Sequence, residues 1–183
     1  MERFSTSDRR EILDFVRRVI ECRLTGQLPP PIPEIKLLAE SGSCFVTLHE
    51  EGELRGCIGN IGAVEALGEN LRRNAVNAAF HDPRFAPVDM HEFEECDIEV
   101  SILTPMCPIA SAAEFVVGRH GILLELNGRH AVFLPQVALE QGWDAPTTLT
   151  YLAQKAGLAP DAWQHPQCRF QVFEAEIFGE ENR

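Results

Sequence analysis

Apolar residues first recur at helical spacing. Ile12, Phe15, Val16, Val19 and Ile20 fall at i, i+3, i+4, i+7 and i+8, which predicts an amphipathic helix over residues 8–23 with one face on the body of the protein. Asp8 and Glu11 stand at the spacing of a capping box and mark its start. The stretch Leu28-Pro29-Pro30-Pro31-Ile32-Pro33 breaks that pattern, because each proline removes an amide donor and restricts the residue before it. Residues 28–33 are therefore an extended connector. A β-prone run at 44–48, a turn-like Glu50-Glu51-Gly52-Glu53 and a second run at 54–59 read as a hairpin. Val64, Leu67, Leu71, Ala75 and Ala78 then mark one face of a helix reaching about Ala79.

Two prolines in His81-Asp82-Pro83-Arg84-Phe85-Ala86-Pro87 end that helix in a polar loop, Asp89 and Glu92 cap a short helical turn, and residues 98–103 read as a strand. The order hairpin, helix, strand then returns. Asn127-Gly128 between apolar runs at 122–126 and 131–134 signals a type I′ hairpin. Short helices at 137–141 and 148–156, the latter closed by Gly157, lead to one long strand over 168–178. The expected fold is α/β in the broad α+β sense, a mixed sheet flanked by helices in two lobes built as two ββαβ-like halves, 40–104 and 118–178, of a single domain over 1–183.

Composition narrows the function classes. A net charge of −12 opposes nonspecific attraction to nucleic acid or to an anionic membrane. No apolar run approaches the roughly 20 residues of a membrane span, and the first residues lack a signal-peptide core, so a cytoplasmic protein is expected. Six cysteines, Cys22, Cys44, Cys57, Cys96, Cys107 and Cys168, include no C-x-x-C pair and should be free thiols. With no dinucleotide fingerprint, Walker loop, HExxH or cysteine cluster, neither cofactor nor metal is expected.

The chemistry concentrates in Leu54-Arg55-Gly56-Cys57-Ile58-Gly59. Strand alternation would put Arg55 and Cys57 on one face and Leu54 and Ile58 on the other. A neighbouring guanidinium, together with the N-terminus of the next helix, would favour the thiolate, and His120 or His81 would manage protons. Cys57 and His120 are thus the candidate catalytic residues. The alternative for Cys57 is tight core packing between glycines, and for His120 a turn histidine bonded to backbone. Arg55, Gly56, Gly59, Asp82 and Arg84 are the candidate ligand-binding residues, since guanidinium forks grip carboxylate or phosphate. For Arg84 the competing role is pairing with Asp82 or with a helix end, which would pin the loop. Trp143 and Trp163 read as core or lobe-contact anchors, and the acidic run from Glu174 to Glu181 as a solvated strand edge and terminus.

These motifs resemble the AMMECR domain, the family of AmmeMemoRadiSam system protein A. The matching pieces are the six-residue stretch above, Asp82-Pro83-Arg84-Phe85 with Pro87, Ser101-Ile102-Leu103-Thr104, Gly118-Arg119-His120-Gly121, Leu134-Pro135-Gln136-Val137, Gln141-Gly142-Trp143-Asp144 and Lys155-Ala156-Gly157-Leu158, in family order over residues 40–178. The resemblance implies a two-lobed α/β domain with a cleft near the Arg-Gly-Cys motif, and association with Memo-like and radical-SAM proteins. It implies no settled reaction, and His81 lies where the family varies. Two functions follow as expectations. One is a component that binds a small or peptide-borne anionic substrate, with thiol chemistry of a cysteine-dependent transferase or hydrolase. The other is a non-catalytic adaptor or scaffold using the same surface.

Overall fold

The computed structural model describes residues 3–180; of the acidic run predicted at the C-terminus, Glu181 lies outside the described residues. Helix α1 (Thr6–Thr25) buries the predicted face, including Ile12, Phe15, Val16, Val19 and Ile20. It starts earlier than the Asp8–Glu11 spacing suggested. Ser5 is the cap: its hydroxyl accepts the Asp8 amide at 3.2 Å, and the Asp8 carboxylate accepts the Ser5 amide at 2.9 Å. A serine in extended conformation with an acid three residues on satisfies two end amides at once, which selects that register.

The chain divides into two compact units. The first runs to Leu103 and resumes at Glu176, and the second spans Thr104–Ala175. In the first, β1 (Ser41–Gly42) pairs with β4 (Glu65–Ala66), while β2 (Cys44–Glu50), β3 (Glu53–Gly59), β5 (Cys96–Leu103) and β10 (Ala175–Gly179) form a sheet in the order β10-β5-β2-β3. Helix α2 (Leu67–Phe80) and α1 pack on one face of that sheet, over Val46, Leu48, Ile98, Val100 and Ile102. The short α3 (Met90–Glu94) carries the predicted reciprocal box between Asp89 and Glu92.

The second unit repeats the plan. Strands β6 (Cys107–Ile109), β7 (Gly121–Leu126), β8 (Arg129–Phe133) and β9 (Arg169–Phe173) lie in the order β6-β9-β7-β8, with α4 (Pro135–Glu140) and α5 (Ala145–Lys155) between β8 and β9. Its core joins Ile122, Leu124, Leu149, Leu152, Ala153, Phe170 and Val172. In each unit the hairpin's first strand is central, its second strand is an edge, and the strand after the helix lies on the other side. Both hairpins turn on two residues of positive φ, Glu51 (51°) and Gly52 (81°) in one and Asn127 (53°) and Gly128 (74°) in the other, the type I′ geometry.

The α+β class and the two lobes are as expected, but the sheets are antiparallel where a mixed sheet was expected. Two-residue hairpins make adjacent strands antiparallel, and the α2 crossover joins β3 to β5 across the intervening β2, so the two parallel strands never touch. The long strand expected over 168–178 is two strands. Glu174 separates β9 from β10, and its backbone pairs with Thr104 instead: the Thr104 amide donates to Glu174 O at 2.8 Å and Thr104 Oγ1 accepts the Glu174 amide at 2.8 Å. Beyond it the chain leaves one sheet for the other.

Two glycines of the motif are dictated by packing. A Cβ on Gly56 would stand 2.2 Å from the Ala78 carbonyl oxygen near the C-terminus of α2, and one on Gly59 would stand 2.3 Å from the Phe45 ring. A backbone oxygen in a helix cannot swing aside, so Gly56→Ala should destabilise the protein by about 1–3 kcal/mol, as overpacking of a core does. Urea unfolding of the variant measures it, and an unchanged midpoint would remove this explanation of the glycine.

Candidate functional site

The geometry of the motif is set by a bulge. Leu48 on β2 pairs with Gly56 while the next residue, His49, pairs with Leu54, so Arg55 is the extra residue in β3. The expected alternation fails at that point. Cys57 pairs with Thr47 and Leu54 with His49, and residues 47 and 49 share a face, so it is Leu54, not Arg55, that shares the face of Cys57. This face is turned away from α1 and α2, because Val46 and Leu48 on either side of Thr47 point into the helix-covered core. Glu99 pairs with Thr47 from β5, so Glu99, Thr47 and Cys57 form one cross-strand row.

Arg55 is occupied elsewhere. Its Nη2 donates to Glu92 at 3.0 Å, its Nη1 donates to the Ala86 carbonyl at 3.0 Å, and Glu50 lies 3.8 Å from its Nε. Its guanidinium also stands 5.8 Å from the centre of the Phe85 ring, and the side chain is only 12% exposed. These contacts bind β3 to the loop and short helix after α2.

Asp82 and Arg84 act on Cys57 through its backbone. The Cys57 amide donates to Asp82 Oδ2 at 2.9 Å, and the Cys57 carbonyl accepts from Arg84 Nη2 at 3.3 Å. Arg84 grips Asp82 with a two-pronged fork, Nε to Oδ1 at 3.0 Å and Nη2 to Oδ2 at 2.7 Å, and the Arg84 amide adds a third bond at 3.1 Å. The Asp82 side chain is 2% exposed and that of Arg84 53%. The Arg84 fork and the amides of Cys57 and Arg84 hold the Asp82 carboxyl far below the ordinary carboxylate range, against the opposing effect of its burial.

Burial pushes the Cys57 thiol up, and this outweighs the downward pull of the Thr47 hydroxyl, which donates to Sγ at 3.4 Å, and of Arg84. Asp82 and Glu99 add to the rise. The expected help from a helix N-terminus is absent at this position. Helix α2 begins at Leu67, and it is the Ala78 carbonyl, at the helix's opposite and negative end, that overlies Gly56. Burial also pushes up the thiols of Cys44, to about 12, and Cys96, to about 11.

The structure thus gathers Arg55, Gly56, Cys57, Gly59, Asp82 and Arg84 in the first unit. His120 belongs to the second, where its Nδ1 accepts the Val116 amide at 3.2 Å and its own amide donates to Val116 O at 3.0 Å. That bond leaves the neutral ring's proton on Nε2. His81 is exposed at the C-terminal end of α2. Trp163 packs on the second unit's core with Nε1 bonded to Thr150, and Trp143 stacks on the partly exposed Tyr151 at 4.3 Å. Sequence reasoning missed Thr47, Glu99, Glu92 and Phe85. Only the strand register identifies the first two, and the bulge brings in the others. Grooves of about 420 and 350 Å3 in this unit run along α1, lined by residues such as Arg10, Leu13 and Phe178 in one and Arg18, Glu21 and Met90 in the other.

Comparison with known proteins gives a consistent picture. A family model described as AMMECR1 matches residues 13–178. Protein MK0488 of Methanopyrus kandleri is 44% identical over 158 residues, covering 81% of this chain and 76% of its own. A protein of Methanothermobacter thermautotrophicus is 38% identical over 187 residues, covering 97% and 96%. The crystal structure of the uncharacterised protein PH0010 from Pyrococcus horikoshii superposes with a TM-score of 0.84 at 35% identity, covering 93% of this chain and 90% of that one.

The depressed Asp82 titration has a signed consequence. A carboxyl whose folded pKa lies below its unfolded value of about 3.9 stabilises the fold above that pH and ceases to do so as pH falls through the folded value. Wild type should therefore exceed Asp82→Asn in stability at pH 7, and the gap should narrow steadily below about pH 4. Chemical unfolding of both proteins across that range measures the gap, and one that does not vary with pH would show that Asp82 is not charged in the native state.

Proposed function

The chain belongs to the AMMECR1 family, and from that premise we propose that it works as a non-catalytic binding component, an adaptor for Memo-like and radical-SAM proteins. The resemblance of its motifs to the AMMECR domain supplies the partner classes. The structure supports the adaptor over the enzyme through one observation, the commitment of the Arg-Gly-Cys motif to internal contacts. Arg55 is spent on Glu92, Ala86 and Phe85, Gly56 on the close approach of α2, Gly59 on Phe45, and the backbone of Cys57 on Asp82 and Arg84. Arg84, half-exposed, and Leu54, which is 39% exposed, still reach solvent. An exposed cation and an exposed apolar side chain suit a partner or a peptide-borne carboxylate better than they suit covalent chemistry.

A second reading, thiol-mediated transfer or hydrolysis at Cys57, draws on the Thr47 hydroxyl against Sγ and on Arg84 nearby. Thiol reactivity separates the two. The adaptor reading expects iodoacetamide to label exposed Cys107 before Cys57, with Cys57 reacting only as the pH climbs past the ordinary thiol range. Early, selective labelling of Cys57 near neutrality would favour the enzyme. Titration calorimetry with a purified Memo-like protein and a purified radical-SAM protein from the same source should show saturable binding to at least one, with Kd changed by less than about twofold in Cys57→Ser. Binding to neither would overturn the adaptor reading, as would a binding loss in Cys57→Ser with the fold intact.

A further inference from the structure

Strand β3 is the outermost strand of its sheet, with β2 on one side only. The amide and carbonyl of Cys57 point away from β2, and Asp82 and Arg84 take them. In an antiparallel ladder a partner residue accepts from the amide and donates to the carbonyl of one and the same residue opposite. The Asp82 carboxylate and the Arg84 guanidinium do that pair of jobs with side chains. Glu53-Leu54-Arg55-Gly56-Cys57-Ile58-Gly59 holds no proline and no lysine, so apart from this pair the edge is guarded by the bulge at Arg55 and by the loop and short helix that Arg55 holds through Ala86 and Glu92.

We propose that the Asp82–Arg84 pair is a strand substitute that closes the β3 edge against a second copy of this chain, and that removing it lets two copies join β3 to β3. The occupant follows from the edge itself. Cys57 presents both a donor and an acceptor outward, which is what a two-fold contact needs, because each copy must offer the other what it receives. With the two-fold axis at Cys57, antiparallel pairing sets Arg55 against the partner's Gly59 and Gly56 against the partner's Ile58, so no like charges meet. Gly59, which shares the outward orientation of Cys57 through its pairing with Phe45, adds no side chain to obstruct the approach. The two halves of the clamp differ in freedom: Asp82 is enclosed, while Arg84 is half in solvent and is the part that can let go.

Sedimentation velocity over a range of concentrations tests this with two double variants. Asp82→Ala/Arg84→Ala removes the clamp, and Asp82→Asn/Arg84→Gln removes its charge while keeping an acceptor and a donor for the Cys57 backbone. The alanine pair should associate to a species of twice the wild-type mass, and the amide pair should sediment as wild type does. Mild oxidation of the alanine pair should yield a Cys57–Cys57 disulfide, since hydrogen-bonded antiparallel partners place Cα atoms about 5.5 Å apart, within disulfide reach. A natively folded alanine pair that sediments like wild type would overturn the proposal. Equal association of both variants would do so as well, because lost charge and not an opened edge would then be the cause. If the alanine pair does not fold, Arg84→Ala decides: it should self-associate more than wild type, and no increase rejects the strand substitute.

Discussion

A carboxylate shut away from water survives as an anion only where donors converge on it, and at Asp82 they come from two parts of the chain. The Cys57 amide reaches it from the edge strand, and the amide and guanidinium of Arg84 reach it from its own loop. Without those donors the loop after α2 is held against β3, among the described residues, by the contacts of Arg55 alone. The other attachments reinforce this one. Arg55 ties the bulge to α3 through Glu92, and Phe85 receives both guanidiniums, at 5.8 and 5.4 Å. The Arg-Gly-Cys motif is a joint between a sheet edge, a helix end and a loop.

That joint explains which parts of the molecule were legible beforehand. The periodicity of Ile12 to Ile20, the type I′ pair Asn127-Gly128 and the Asp89–Glu92 box each encode their element locally, and each formed where expected. The faces of β3 were not legible, because alternation assumes an unbroken strand and the inserted Arg55 shifts every residue before it to the other side. The polarity of the helix beside Cys57 was equally hidden. Sequence order places the start of α2 after the glycines, whereas the crossover returns its far end over Gly56. Asp82-Pro83-Arg84 offered both an anion site and an internal ion pair, and only tertiary structure shows the fork closed on Asp82 with the Cys57 backbone beneath it.

The two units give the same plan two different uses. Each places the first hairpin strand centrally and the second at an edge, with the crossover helices spanning the distance to the third. Only the first carries the glycine-bearing edge and its clamp. In the second, the corresponding edge strand β8 is tied by the side chain of Lys155, which donates to Val132 O at 3.0 Å and lies 4.8 Å from the centre of the Phe133 ring. A charged side chain delivered to an edge carbonyl recurs, with a helix as its source in one unit and a loop in the other.

The chain's return at Glu174 has a mechanical side. The second unit is inserted within the first, and its two ends are fastened side by side where Thr104 and Glu174 exchange hydrogen bonds. Tension applied to the ends of the chain would pass through α1, the first sheet and β10, and cross from Leu103 to Ala175 over that short fastening. The inserted unit would feel no load until the fastening parted, so pulling should strip the host before its guest.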